Sequence, residues 1–273
     1  MTINCRGTLL SLDTPLLMGI LNITPDSFFD GGKYTSIDLA LAQAEKMNSE
    51  GATFIDIGPS SSKPGSAISD PEVEIKLIQT VLQQLLHSFP NTYFSIDTYH
   101  SKVAERALDL GASMINDISG GQWDKNLLAT VARYDVPYVM MHIQGQPKTM
   151  QLSPNYSDVV TEIAAYFAQQ IEKAEAVGIH DLILDPGFGF GKTVAHNFEL
   201  LQQLDYFKTL KHPLLVGLSR KSMIYKTLES TPEDALNGTT ALHAWALERG
   251  ANILRVHDVK EAKECIRLWQ ALQ

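Results

Sequence analysis

Basic residues are in short supply in this 273-residue chain: 22 Lys and Arg stand against 31 Asp and Glu, giving a formal charge of −9. A surface of that sign repels polyanions, so nucleic acid and anionic membranes are not expected partners. An anionic ligand must then be held by a few locally placed cations. Cysteine is scarcer still. Cys5 and Cys265 show neither metal-ligand spacing nor a disulfide framework, and both read as reduced structural residues. No apolar run has the length of a membrane span. The apolar N-terminal stretch is broken by Asp13 and Pro15 and has no basic segment before it, unlike a signal peptide. These features make a cytoplasmic protein the expectation. Linkers rich in Gly, Ser or Pro are missing as well, and with 44% hydrophobic residues a single domain over residues 1–273 is expected.

Several catalytic signatures are also missing. There is no HExxH and no Cys/His cluster with zinc spacing. The segment GLSRK (217–221) offers a serine after Gly-x, but no second glycine completes a nucleophile elbow. In DPGFGFGKT (185–193) the ending Gly191-Lys192-Thr193 resembles the close of a phosphate loop. That loop needs a glycine five residues before the Gly-Lys pair, where this chain has Pro186.

What is present is a repeated unit. SEGATFIDIG (49–58), DLGASMINDIS (109–119), AVGIHDLILDPG (176–187) and ERGANILRVHD (248–258) each place a glycine after a helical stretch and before a β-branched, apolar run. Glycine suits the left-handed position that ends a helix, and the run suits a buried parallel strand. Eight such runs can be counted, at 16–23, 53–58, 93–98, 113–118, 137–143, 182–187, 213–219 and 252–257. Amphipathic stretches such as 36–50, 102–110 and 157–177 lie between them. This alternation predicts an α/β fold, a (β/α)8 TIM barrel, with an open doubly wound sheet as the alternative.

Polar residues gather where the runs end: Asn22, Asp56, Asp97, Asn116, Asp117, His142, Asp185, Arg255 and His257. One such residue alone reads as a helix cap or a loop anchor. A set on seven strands reads as one pocket, because barrel closure brings strand ends around one mouth. SRKS (219–222) and RVH (255–257) end the last two runs, where barrels often bind phosphate, so Lys221, Arg255 and His257 form a candidate anion corner. Asp185 and Asn116 supply acceptors for a ligand edge bearing N–H groups. A heterocycle carrying a phosphate or diphosphate fits both halves.

Seven ordered stretches carry a resemblance: MGILNITPDSFFDGG (18–32), FSIDT (94–98), INDISGG (115–121), MMHIQGQPKTMQ (140–151), LILDPGFGFGK (182–192), LLVGLSRKSMI (214–224) and ILRVHDV (253–259). Over essentially its whole length the chain resembles the dihydropteroate synthases. The resemblance implies a barrel enzyme of folate synthesis that joins 4-aminobenzoate to 6-hydroxymethyl-7,8-dihydropterin diphosphate. It further implies a pterin set of Asp97, Asn116, Asp185 and Lys221, walled by Met141 and Phe190, with Asp97, Asp185 and Lys221 as the catalytic groups. Arg255 and His257 would meet the diphosphate, and Asn22 would contact Mg2+. Phe28, Ser62, Lys63, Pro64, Lys221 and Ser222 would meet the aminobenzoate. The chain departs from the family's Gly-Glu-Ser-Thr-Arg-Pro-Gly loop, carrying Ser60, Ser62 and Lys63 in place of the acid, threonine and arginine. Lys63 keeps the charge but loses the planar fork. A pterin-binding methyltransferase would share the acids but have little use for the anion corner, and a noncatalytic paralogue is motivated only by the altered loop. A homodimer is implied too, and the apolar stretch 237–250 reads either as its interface or as packing against the barrel.

Overall fold

In the computed structural model, which describes residues 1–23, 33–59 and 70–273, eight parallel strands close into a barrel. A short antiparallel hairpin comes first, β1 (Thr2–Cys5) and β2 (Thr8–Ser11). The barrel strands follow: β3 (Leu16–Asn22), β4 (Phe54–Gly58), β5 (Tyr93–Asp97), β6 (Met114–Asp117), β7 (Tyr138–Met141), β8 (Leu182–Asp185), β9 (Leu215–Val216) and β10 (Ile253–Val256). All eight coincide with the runs read from sequence. Neighbours in the chain are neighbours in the sheet, and β10 returns to pair with β3. The closed ring settles the choice against an open sheet.

Closure between β8 and β9 is thin. It rests on a bridge between Leu184 and Leu214 and on the Leu184 N–H donating to the Pro213 carbonyl at 2.8 Å. Pro213 has no N–H to return, so the ladder cannot extend there.

Helices pack outside the ring. The helix Pro71–Ser88 begins as its sequence dictates: Asp70 accepts from the Glu72 N–H, Pro71 fills the first turn, and Glu72 and Glu74 face the positive helix end. At the other end of such helices the expected glycines take the left-handed turn. Gly111 has φ +116° and donates its N–H to Ala107 and Leu108, and Gly51, Gly178 and Gly250 have φ between +95° and +100°. The helical faces and the outward residues of the strands form one large apolar layer that includes Leu21, Ile57, Phe94, Ile115, Leu184 and Leu254.

The inward residues make a second cluster: Met18, Phe54, Met114, Val139, Ile183, Leu215 and Ile253. Ile3, Cys5 and Leu12 of the hairpin segment join it and plug the N-terminal end of the barrel. The sequence reading did not anticipate this hairpin, because β2 is mostly exposed and carries no strong alternation. It accounts for Cys5, which is wholly buried; burial, aided by the Asp181 charge, pushes its thiol up to about 12.

Side chains alternate in and out along a strand. Two residues above the apolar plug, the inward positions are therefore Ile20, Asp56, Ser95, Asn116, Met141, Asp185, Gly217 and Arg255. The same rule corrects the expected set of mouth residues, since Asp117 and His142 have the opposite parity. Asp117 faces the helical layer, accepting from the Ser119 N–H and hydroxyl, the Gly121 N–H and the Tyr138 hydroxyl. His142 packs edge-on against Tyr166.

Candidate active site

Above the apolar plug the barrel interior becomes charged. Arg255 enters from β10 and donates from Nε to Asp56 Oδ2 at 2.7 Å and from Nη2 to Asp97 Oδ2 at 3.1 Å. Asn116 Nδ2 donates to the same Asp56 oxygen at 2.9 Å. Asp56 is completely buried, and its cross-strand neighbour is Ser95. Asp56 Oδ1 and the Ser95 hydroxyl have no hydrogen-bond partner among the described residues, so Asp56 depends on Arg255 and Asn116. Burial opposes the Arg255 charge, but Asp56 and Asp97 outweigh it and raise its pKa. Burial pushes Asp97 up to about 7, with Arg255 pulling it down and Asp56, Glu74 and Asp117 pushing the same way as burial. Asp97 thus titrates near neutrality.

Asp185 lies at the end of β8, 5% exposed. Its Oδ1 accepts from the Gly187 N–H at 2.8 Å. Burial raises its pKa, against Lys221, that N–H, Arg255 and Lys192. Gly217, just past the end of β9, borders both Arg255 and Asp185: a Cβ there would lie 3.8 Å from Arg255 Cβ and 4.0 Å from Asp185 Oδ2. Lys221 is half-buried, donates to the Phe188 carbonyl and holds Nζ 4.6 Å from the Phe190 ring centre. Burial brings its pKa down to about 8, with Asp185 opposing. Met141, Ile118, Ile143 and Met150 form an apolar ledge to which Phe190, Tyr99 and Trp123 add their rings. The mouth therefore offers carboxylates, an amide oxygen and an ammonium below, with apolar walls at the side. That combination suits a flat heterocycle with N–H donors on one edge.

The anion corner assembles differently from the expectation in one respect. Ser219 Oγ is 3.1 Å from His257 Nδ1 and accepts from the His257 N–H at 3.3 Å. His257 is exposed, yet partial burial and the Arg255, Arg220 and Lys221 charges hold it below the usual histidine range. That favours the neutral imidazole, and among the described residues the cations facing the corner are Arg255 and Lys221. Arg220 turns away with φ +56°, clamping Asp258 by two bonds of 2.8 Å and donating to the Pro232 and Glu233 carbonyls. Ser222 is half-buried at the start of the helix Ser222–Thr227, and Asn22 is exposed at the end of β3.

Asp97, Asn116, Met141, Asp185, Phe190, Lys221, Ser222, Arg255 and His257 thus lie around one mouth, with Asn22 on its rim. Phe28, Ser62, Lys63 and Pro64 lie outside the described residues. Two contributors, Ser95 and Gly217, were not singled out by sequence, and Asp56 was placed at the mouth without a partner. Asp56 was visible as a polar strand end. Only barrel register shows that it, with Asp97, holds the arginine.

Arg255→Met keeps bulk but leaves the buried Asp56 and the partly buried Asp97 without their cation, a change that typically costs about 3–5 kcal/mol. Urea denaturation at pH 7 is expected to show a loss of that order, shrinking as the pH falls and protons neutralise the carboxylates. Wild-type stability at pH 7 would show that the Asp56–Arg255–Asp97 bridge carries no weight in the fold.

Comparison with known proteins agrees with the fold. The family model described as "Pterin binding enzyme" matches residues 18–257. Dihydropteroate synthase from Escherichia coli (strain K12) is 43% identical, over 99% of this chain and 96% of its own. Among solved structures, Yersinia pestis dihydropteroate synthase in complex with a sulfonamide drug superposes with a TM-score of 0.93 at 43% identity, covering 100% of this chain and 99% of that one. The Xanthomonas albilineans enzyme with 4-aminobenzoic acid gives 0.91 at 39% identity, covering 100% and 98%. With its fold and its whole length in agreement, the chain belongs to the dihydropteroate synthase family of pterin-binding enzymes.

Proposed function

We propose that one barrel domain, residues 1–273, condenses 4-aminobenzoate with 6-hydroxymethyl-7,8-dihydropterin diphosphate in the cytoplasm, giving 7,8-dihydropteroate and diphosphate. The observation that carries the site assignment is the gathering of Asp97, Asn116 and Asp185 at one mouth with Lys221, whose charge bears on both carboxylates. Asp185 accepts from the pterin ring N–H and 2-amino group. Asn116 Nδ2 is engaged by Asp56, which turns its amide oxygen to the ligand as an acceptor. Lys221 donates to a ring acceptor, and Met141 and Phe190 cover the faces of the ring.

The reaction breaks the C–O bond between the pterin methylene and the diphosphate, whose oxygen keeps the electron pair. The aminobenzoate nitrogen then attacks the cationic methylene and afterwards gives up a proton. Asp97 and Asp185 oppose the developing positive charge, while Arg255, Lys221 and His257 favour the departing negative one. Phe28, Ser62, Lys63, Pro64 and Ser222 complete the aminobenzoate side.

Among the described residues no group of three His, Cys, Asp or Glu side chains is placed to hold a metal. Asn22 offers one exposed amide oxygen. Such a donor fits Mg2+, which takes few protein ligands and completes its octahedron with phosphate oxygens and water. Bound there with the diphosphate, Mg2+ would supply charge neutralisation at the leaving group.

The helix Leu236–Glu248 buries Thr239, His243, Ala246 and Leu247 against the barrel. Its other side forms a groove with the helix Val259–Gln270, lined by Ala241, Ala244, Trp245, Leu268 and Leu272. Trp245, Leu268 and Leu272 are 50%, 71% and 85% exposed. One side of 237–250 thus packs on the barrel, and a second copy of the chain is the proposed cover for the groove on the other. Leu268→Glu is expected to halve the mass seen by sedimentation equilibrium; an unchanged mass would place the interface elsewhere.

Diphosphate release that requires both substrates is the direct test of the activity. Asp185→Asn leaves one acceptor oxygen for two donors, and losing a charge-assisted hydrogen bond should cost about 1.5–3 kcal/mol of pterin affinity by calorimetry. Unchanged affinity would remove Asp185 from the site.

The two groups that titrate near neutrality fix a pH optimum. Below about 7, protonated Asp97 loses its acceptor role, and above about 8, Lys221 loses its charge. The kcat/KM for pterin diphosphate is therefore expected to be bell-shaped between those values. Asp97→Asn should flatten the acid limb and Lys221→Arg should carry the alkaline limb upward; limbs that stay put in these variants would assign them to other groups.

A further inference from the structure

The Gly-Lys-Thr that only half resembles a phosphate loop has a different use. Lys192 is 2% exposed and does not point at the anion corner. Its ammonium lies inside the turn that follows β8, 2.9 Å from the Gly187 carbonyl, 3.1 Å from the Phe190 carbonyl, 3.0 Å from His142 Nδ1 and 3.4 Å from the His142 carbonyl. Four acceptors thus surround three N–H donors. Among the described residues no carboxylate touches it. Burial, with Lys221 adding to it and Asp185 opposing, drives its pKa well below the usual lysine range.

A buried ammonium without a counter-ion is a costly way to fill a turn, and the backbone explains why one is needed. Residues 186–191 form no strand or helix, so their carbonyls lack ladder partners. Gly187 and Gly191 have φ of +71° and +62°, and a Cβ at either would strike a carbonyl oxygen, that of His142 or of Gln144. The turn is therefore pressed against the segment after β7. Lys192 joins the two segments from within, and neighbouring side chains secure the outside. Asn197 Oδ1 accepts from the Gly189 N–H at 2.7 Å, and the Tyr156 hydroxyl donates to the Gly191 carbonyl at 2.9 Å. Thr193 caps the next helix through the His196 N–H at 3.1 Å.

Both ends of this turn serve the mouth. Gly187, whose carbonyl Lys192 holds, donates its N–H to Asp185 Oδ1. Phe190, whose carbonyl Lys192 also holds, presents its ring to Lys221. We infer that Lys192 is a positioning residue for pterin recognition: with His142 it fixes the Asp185 carboxylate and the Phe190 ring in the spacing that receives the heterocycle, without touching the ligand itself. The inference rests on the site assignment proposed above.

The test is calorimetric titration of 6-hydroxymethylpterin diphosphate into wild type, Lys192→Met and Lys192→Arg, recording Kd and the number of competent sites separately. Met has the reach of lysine without its donors, and is expected to weaken Kd about tenfold or more with the site number preserved. Arg restores cationic donors and is expected to return Kd to within about threefold of wild type. A merely structural residue would instead lower the site number at constant Kd, and that result, or a folded Lys192→Met with wild-type Kd, overturns the inference. Should Lys192→Met fail to fold, His142→Leu removes one of the four acceptors and is expected to weaken Kd about threefold; an unchanged Kd there overturns it equally. Wild type that does not bind the pterin at all would overturn the site assignment and this inference together.

Discussion

The barrel interior is organised around one partly buried guanidinium. Arg255 faces inward from β10, where alternation leaves it no route to solvent except through the mouth, and Asp56 and Asp97 neutralise it from β4 and β5. A buried ion pair of this kind adds little stability over a well-packed apolar core, but removing one member is expensive. What it provides here is a fixed arrangement of polar atoms. One Asp56 oxygen is shared by Arg255 and Asn116, which orients Asn116, and Asp97 beside them has its pKa raised by burial. The acceptors that a heterocycle would meet are set by the triad beneath them.

The architecture was legible in the sequence because two periodicities agreed with each other. Apolar runs such as 182–187, four of the eight preceded by a helix-ending glycine, allowed parallel strands and little else. The polar strand ends were equally visible, but their directions were not. Asp117 and His142 stand beside Asn116 and Met141 in the chain and fall on the other face of the sheet. A one-residue uncertainty in a strand end reverses the face, and sequence does not locate strand ends that finely. The pairing of Asp56 with Arg255, and the place of Gly217, escaped for a different reason: both lie in register with residues far away in the chain. The hairpin plug escaped because its buried residues, Ile3, Cys5 and Leu12, show their purpose only once the barrel floor exists.

Charge followed a similar course. An excess of acid over base implied that any anion would need locally placed cations, and the fold brings Arg255 and Lys221 together from β10 and the segment after β9. Lys192 is also a cation in the same part of the chain, and composition cannot separate it from them. The difference is made by backbone carbonyls, which sequence does not display: those of Gly187, Phe190 and His142 converge on the ammonium and leave it nothing to offer outside.

The seam between β8 and β9 gives the molecule a mechanical weak line. Proline at 213 and the brevity of β9 leave that edge of the cylinder joined by far fewer ladder bonds than its neighbours. Asp185 stands on one bank and Lys221 on the other, and the lysine already stitches across to the Phe188 carbonyl. Anything held between those two side chains acts as a rivet through the joint. The ligand would then tighten the cylinder as a hoop tightens staves, and amide protons of both strands, well below the mouth, would exchange more slowly with solvent for as long as it stayed.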